Sequence, residues 1–224
     1  MLQALRDGGL LDDTVVIVSA DHGELLGEHG AWGKRSFYEA SGGVPLLVHW
    51  PAGLPRGAVR QTPVSTIDLF PSLATMAGLP LPGPLDGLSL LAAAREGAAL
   101  DRPGIAAEYG SERDFKLMWR WEEPEGGLTR QWKYVWLANG GKEQLFERTS
   151  DPLEQRNLAS GHRDRCAAAH ARLAAWCRDT DFERALGPDG WLRSMPFEPF
   201  DLGTINERAP AWPARDPDFA AQVA

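Results

Sequence analysis

The chain has 224 residues, a hydrophobic share of 43% and a formal net charge of −8, a composition that is ordinary for a globular protein. The acidic balance excludes a general binder of nucleic-acid backbones, which would need a basic face. No run approaches the roughly 18 consecutive apolar residues that a membrane-spanning helix requires. We therefore expect neither a nucleic-acid nor a membrane partner.

The first hundred residues predict short helices and strands. Residues 2–6 are typical of the end of a helix that stops at Gly8 and Gly9. The β-branched run 14–19 predicts a buried strand of the parallel type. Residues 44–50 predict a second strand, with Pro45 near the strand start or on an edge strand.

A helix is predicted after a short strand at residues 64–66. Asp68 would cap this helix, Pro71 would lie in its first turn and Gly78 just past its end. Apolar residues at helical spacing predict one buried face, made of Ile67, Phe70, Leu73, Ala74 and Ala77.

The second half predicts an antiparallel sheet and a helix. Residues 105–109, 116–121, 133–137 and 144–147 have strand lengths with turn signals between them. A helix at 164–178 would bury the face formed by Cys166, Ala169, His170, Leu173, Trp176 and Cys177. Its two cysteines would be roughly 16 Å apart along the helix, too far for a disulfide, so they are interpreted as packing residues.

Ligand-type residues follow the first strand directly. Asp21, His22 and Gly23 end the β-branched run, and Lys34 comes thirteen residues after Asp21. A carboxylate beside an imidazole suits a divalent metal, and a lysine can neutralise a tetrahedral oxyanion. The residues alone leave the ordinary alternatives open, since Asp21 can be a turn residue, Lys34 a surface lysine, and His29 either a neighbour of the site or a loop residue without a role.

Residues 19–34 resemble the second conserved block of the sulfatases, in the alkaline phosphatase superfamily. The resemblance continues collinearly through residues 37–39, 44–48, 64–73, 77–78, 132–134, 143–147, 151–154 and 157–158. It implies an α/β fold, namely the C-terminal part of an alkaline-phosphatase-like parallel or mixed sheet domain plus a small antiparallel sheet with a packed helix. The implied domains are 1–103 for the α/β part, 104–180 for the small sheet and helix, and 181–224 for an irregular tail.

The resemblance also implies site residues. Asp21 and His22 match the family's ligands to a divalent metal, with calcium expected first and manganese or magnesium as alternatives. Lys34 matches the lysine that contacts the sulfate or phosphate group. Sulfatases attack sulfur with a formylglycine made within a Cys/Ser-x-Pro/Ala-x-Arg pattern, and neither Cys166 nor Cys177 fits that pattern.

An N-terminal aspartate pair, which the family also places on the metal, is absent too. We therefore expect a C-terminal fragment, or the product of a gene that has lost its front, which is inactive alone and binds metal weakly. The formylglycine is expected only in the missing N-terminal half.

The implied activity is sulfuric ester hydrolysis on a small anionic sulfate ester. The sequence leaves open a phosphonate monoester or phosphodiester hydrolase of the same superfamily, and a non-catalytic remnant that acts as a binding module. An exposed sheet edge left by the missing half would promote association. Four tryptophans suit either a carbohydrate or aryl pocket or, as we expect, core packing: Trp32, Trp119, Trp121 and Trp132.

Overall fold

A computed structural model describes residues 1–110 and 114–199 of the chain. The described residues form two compact units, the first made of Met1–His22 and Val44–Ile105, the second of Gly23–Gly43 and the residues from Ala106 onward. No helix within the described ranges is long and apolar enough to cross a membrane. Residues 200–224 of the predicted tail lie outside the described part.

The longest strands and the longest helix belong to the second unit. In chain order the helices and strands are α1 (Leu2–Asp7), β1 (Val16–Val18), β2 (Leu25–Leu26), β3 (Trp32–Gly33), α2 (Glu39–Gly42), β4 (Leu47–His49), α3 (Leu69–Met76), α4 (Leu91–Glu96), β5 (Ile105–Gly110), β6 (Phe115–Glu125), β7 (Leu128–Leu137), β8 (Lys142–Glu147) and α5 (Arg163–Asp179).

The first predicted strand forms, but its pairing differs from the prediction. β1 pairs antiparallel with β4, with Ile17 opposite Val48. Val18 and Leu47 lie opposite each other and are 48% and 59% exposed. The prediction that β1 is a buried strand of the parallel type is therefore wrong. An apolar run of this length has no periodicity from which the direction of its partner could be read.

The helix after residue 66 also differs in two respects. The predicted strand at 64–66 is absent, since a 3-10 helix begins at Thr66 and a capping box joins Ser65 to Asp68. α3 buries Pro71, Ser72 and Ala74, whereas the other members of the predicted apolar face are exposed. Ser72 Oγ accepts a hydrogen bond from Leu90 N and donates to Asp68 O, so a polar link lies on the buried face of this helix.

Asp68 is the polar centre of the first unit. Its carboxylate is fully buried and accepts two hydrogen bonds on each oxygen. Oδ1 accepts from Leu88 N at 2.9 Å and Arg102 Nη1 at 2.8 Å. Oδ2 accepts from Ser65 N and Arg102 Nη2, both at 2.8 Å. One side chain thus joins the start of α3 to two later loops.

α4 was not predicted, although Gly97 follows it in the left-handed conformation that commonly ends helices. The Arg60 guanidinium donates to the carbonyls of Ala93, Ala94 and Arg95. Ala94 and Arg95 lie in the last turn of the helix, where carbonyls run out of backbone partners, whereas Ala93 O also accepts a hydrogen bond from Gly97 N at 3.0 Å.

The second unit contains the predicted antiparallel sheet. Its strand order is β5-β6-β7-β8, and β6 and β7 form a long hairpin in which Trp119 lies opposite Tyr134. α5 contributes Cys166, Ala169, Leu173, Ala174 and Cys177 to the buried core with the sheet. The sheet, the helix and the packing role of the two free, buried cysteines are therefore confirmed.

The aromatic residues divide between core and surface. Trp119 and Trp132 are buried in the core and Trp121 packs against it, as expected, but Trp32 is exposed on β3. His170 packs edge-on against Trp136 and bonds Tyr134 Oη through Nδ1 at 3.2 Å, which supports a structural role for this histidine.

Candidate functional site

Asp21 and His22 lie just past the end of β1 and contact each other. Asp21 Oδ2 is 3.3 Å from His22 Nε2, and Asp21 Oδ1 accepts a hydrogen bond from His22 N at 3.0 Å. The Asp21 side chain is 86% exposed and that of His22 is 35% exposed. The structure therefore brings together the two predicted metal ligands, with a carboxylate oxygen and an imidazole nitrogen side by side.

Gly23 begins the segment of the second unit that carries Lys34. Its N–H donates to Ser41 O at 2.8 Å. A Cβ at this position would lie 2.1 Å from Ala40 O and 3.1 Å from Gly43 O. Backbone atoms occupy the space that any side chain would need, so only glycine allows this approach.

A tight hairpin precedes Lys34. β2 pairs with β3, and the loop between them turns through Gly27 and His29, both at positive φ. The Glu28 carboxylate accepts a hydrogen bond from Leu26 N at 2.6 Å, and this bond lowers the pKa of Glu28 below its usual value. Lys34 follows β3 directly and is exposed.

His29 has a defined contact in this segment. Its ring stacks on that of Tyr38, with centroids 3.7 Å apart and an interplanar angle of 5°. The Tyr38 hydroxyl accepts a hydrogen bond from Gln144 Nε2 at 3.0 Å. Residues on both sides of Lys34 are thereby joined to each other and to β8.

A cluster of charged side chains holds the segment just after Lys34. We call Glu39, Arg120, Lys133, Arg148 and Glu154 the Glu39 cluster. Lys133 Nζ lies 3.0 Å from Glu39 Oε2 and 2.5 Å from Glu154 Oε1. Arg148 contacts both carboxylates, at 3.2 Å and 3.1 Å, and Arg120 contacts Glu39 at 3.4 Å. The side chains of Lys133 and Glu154 are 3% and 0% exposed.

The cluster also takes up backbone groups. Lys133 Nζ donates to Phe37 O at 2.8 Å, and Glu39 N donates to Glu154 Oε2 at 2.8 Å. Burial would raise the pKa of the Glu39 carboxyl, but the charges of Lys133, Arg120 and Arg148 hold it below its usual value. Glu39 is therefore ionised at neutral pH.

The predicted site residues belong to different units. Asp21 and His22 belong to the first unit and Lys34 to the second. Across residues 1–110 and 114–199, no three His, Cys, Asp or Glu side chains group together as a metal site would require. The sequence did not predict the Glu39 cluster, although its two carboxylates, Glu39 and Glu154, lie in the segments 37–39 and 151–154 that resemble the sulfatases.

Comparison with known proteins gives the same family for the sequence. The sulfatase family model matches residues 1–79. Arylsulfatase K of Bos taurus is 37% identical over 174 residues, which cover 71% of this chain and 30% of the relative. Choline-sulfatase of Rhizobium meliloti (strain 1021) is 36% identical over 166 residues, which cover 73% of this chain and 30% of the relative.

Solved structures share the fold. A protein in complex with its substrate D-glucosamine-2-N,6-O-disulfate matches with a TM-score of 0.68 at 21% identity, over 80% of this chain and 38% of that one. A phosphonate monoester hydrolase from Silicibacter pomeroyi matches with a TM-score of 0.65 at 25% identity, over 80% and 37%. The predicted α/β fold class is confirmed, and this chain, which spans about 30% of the length of its curated relatives, belongs to the sulfatase family.

Proposed function

We propose that this chain is part of a metal-dependent sulfuric ester hydrolase. It would supply Asp21 and His22 to a divalent metal and Lys34 to the sulfate group of the substrate. One observation carries this proposal: the sulfatase match over residues 1–79 includes all three residues. The relatives named arylsulfatase K and choline-sulfatase agree with this ester class.

The geometry of Asp21 and His22 fits a shared metal ion. Asp21 Oδ2 and His22 Nε2 lie 3.3 Å apart, so this carboxylate and this imidazole would be placed to hold one ion together. The family resemblance implies calcium first, with manganese or magnesium as alternatives, and the carboxylate of Asp21 suits all three of these hard ions. When bound, such an ion would act as a Lewis acid toward an ester oxygen.

Two ligands do not complete a coordination shell, since divalent ions take about four to eight donors. The described residues supply no group of three. We therefore expect the isolated chain to bind metal weakly, with its remaining ligands provided from sequence outside this chain.

Lys34 supplies the positive charge for the ester. An ammonium group neutralises charge on the transferring sulfate oxygens or on the leaving group. One protein that shares this fold was solved with a disulfated sugar, which supports a small anionic sulfate ester as the class of substrate.

The nucleophile is not one of the two cysteines. Cys166 and Cys177 lie on α5 with 1% and 0% exposure, and burial raises the pKa of both thiols to about 11. A buried thiol of this kind is a poor nucleophile. We expect the formylglycine to come from sequence outside this chain, and the isolated chain to show no ester turnover.

The test begins with the reading frame upstream of the Met1 codon. We expect it to encode an aspartate pair and a Cys/Ser-x-Pro/Ala-x-Arg block. In the complete protein, Asp21→Asn and Lys34→Ala should each lower kcat/KM for 4-nitrophenyl sulfate by roughly 100-fold or more, as loss of one charge-stabilising group does elsewhere. Lys142→Ala is the matched control and should stay within about twofold of wild type.

Turnover by the isolated chain would contradict the expected need for an outside nucleophile. Unchanged kcat/KM in both variants of the complete protein would contradict the assignment of the site residues. An upstream stop codon, with no turnover in any form of the protein, would favour the non-catalytic remnant instead.

A second candidate keeps the same residues and changes the ester. The likeness to a phosphonate monoester hydrolase, at 25% identity and a TM-score of 0.65, favours a phosphonate ester. Comparing 4-nitrophenyl sulfate with an aryl phosphonate monoester in the complete protein separates the two. A higher kcat/KM for the phosphonate would replace the sulfatase proposal.

A further inference from the structure

Lys34 lies within a span whose two ends touch each other. His29, five residues before it, stacks on Tyr38, four residues after it, with the ring centroids 3.7 Å apart. β2 and β3 pair across the start of this span, with Leu26 opposite Trp32. Displacement of Tyr38 or of the residue after it would therefore be passed to the backbone around Lys34.

The far end of this span is held by buried charges. The Phe37 carbonyl accepts from Lys133 Nζ, and the Glu39 N–H donates to Glu154 Oε2, both at 2.8 Å. Burial in a low-dielectric site strengthens such bonds and makes their loss costly. The backbone on either side of Tyr38 is thus fixed by partners that are themselves almost fully buried.

The partners belong to the sheet and its loops. Arg120 lies on β6, Lys133 on β7, and Arg148 directly after β8. Glu154 adopts a positive φ of 57° in a loop where Asp151 accepts hydrogen bonds from the N–H groups of Gln155 and Arg156. Arg120 and Lys133 lie directly opposite each other in the β6–β7 hairpin, so two of the cations are placed by the same pair of strands.

The charges of the cluster depend on Glu39. Three cations face two carboxylates, and Glu39 contacts all three of the cations. Replacing its charge would leave Arg120, Lys133 and Arg148 with Glu154 alone. Like charges that lose their shared counterion separate, and the segment they hold would separate with them.

We propose that Glu39 and Glu154 are positioning residues for Lys34: through Lys133 they fix the backbone at residues 37–39, and through the Tyr38–His29 stack they fix the span that carries the lysine. This inference rests on the proposed function, in which Lys34 contacts the sulfate group. It assigns a role in substrate binding to a charge cluster that does not itself touch the substrate.

The experiment follows Lys34 directly in the full chain. The sequence contains four lysines, so lysine-labelled protein gives few side-chain ε signals, and Lys34→Arg assigns the one of interest. Sodium sulfate is titrated while the Lys34 signal is observed. Amide hydrogen exchange is measured in parallel for residues 25–36 and for the hairpin of β6 and β7.

Glu39→Gln should raise the half-saturating sulfate concentration at Lys34 at least fivefold. It should speed exchange at residues 25–36 at least tenfold while the hairpin of β6 and β7 changes less than threefold. Glu123→Gln removes a different ion pair of the same unit, with Arg165, and should leave both readouts unchanged. Glu39→Asp retains the charge and should restore part of the sulfate response.

The possible outcomes distinguish a failure of the positioning role from a failure of the proposed contact between Lys34 and the sulfate group. A wild-type Lys34 signal that responds to sulfate, with an unchanged response in Glu39→Gln and Glu154→Gln, would overturn the positioning role alone. A wild-type Lys34 signal that never responds, together with unchanged kcat/KM in Lys34→Ala of the complete protein, would overturn the assignment of Lys34 itself. Equal acceleration of exchange over the whole unit would show that the cluster acts on global stability, and would also overturn the positioning role.

Discussion

Asp68→Asn is expected to destabilise the first unit strongly, because no orientation of the new amide satisfies the donors around it. Each carboxylate oxygen accepts one backbone N–H and one Arg102 N–H. An asparagine keeps one accepting oxygen and turns its NH2 group toward the other two donors. The substitution therefore leaves a buried backbone N–H and a guanidinium N–H without an acceptor.

The magnitude follows from these two losses. An orphaned buried backbone group costs about 1–3 kcal/mol, and a lost bond to a charged group about 1.5–3 kcal/mol. Together they agree with the roughly 3–5 kcal/mol lost when one member of a buried ion pair is removed. Opening of α3 should become at least roughly 100-fold more frequent, since each 1.4 kcal/mol is about tenfold.

Amide hydrogen exchange of α3, Leu69–Met76, measures this opening in the native chain. Asp86→Asn is the matched control, since Asp86 is exposed and a surface substitution changes stability by about 0.5 kcal/mol or less. Exchange in Asp68→Asn within twofold of the control would refute the reasoning, because it would mean that the four bonds to Asp68 contribute nothing net.

Two further predictions concern the second unit. Gly23→Ala should lower the free energy of unfolding of this unit by about 1–3 kcal/mol in urea denaturation, because the new Cβ would lie 2.1 Å from Ala40 O. Gly42→Ala is the control, since its Cβ would meet nothing closer than 3.9 Å. Equal urea midpoints for the two variants would contradict the steric argument. Burial lowers the pKa of His170 below its usual 6.5, although Glu143 and Asp189 oppose this. The unfolded chain then binds a proton that the folded chain does not, so stability should fall as pH drops below about 6.5. His170→Gln should flatten that part of the pH profile of unfolding, and an unchanged slope would contradict the assignment.

The second unit was largely predictable from the sequence because its signals are periodic. The alternating strands and the three-and-four spacing of the residues around Leu173 report burial directly. The first unit was harder to predict. Nothing in the sequence shows that the hydroxyl of Ser72 is buried while the side chains of Phe70 and Leu73 are exposed, because this depends on the backbone N–H of Leu90, eighteen residues away.

Only those contacts of the candidate site that join residues close together in the sequence were predictable. Asp21 and His22 are adjacent, and their contact follows from the end of a strand. The Glu39 cluster joins residues 94 and 115 positions apart, and no local pattern reports such a pair. The resemblance identified both ends of the cluster, but the ion pairs that join them required the fold.

These separations have a consequence for how the chain is made. The segment Gly23–Gly43 packs with residues that follow Ala106, so it leaves the ribosome long before its partners exist. At about 5–20 residues per second, synthesis of the 115 residues between Glu39 and Glu154 takes roughly 6–23 s. During that interval Phe37 O, Glu39 N and the Tyr38 hydroxyl lack their partners Lys133, Glu154 and Gln144. A ribosome stalled before residue 133 would therefore display the Lys34 segment before Lys133 and Glu154 exist to fix the backbone at residues 37–39.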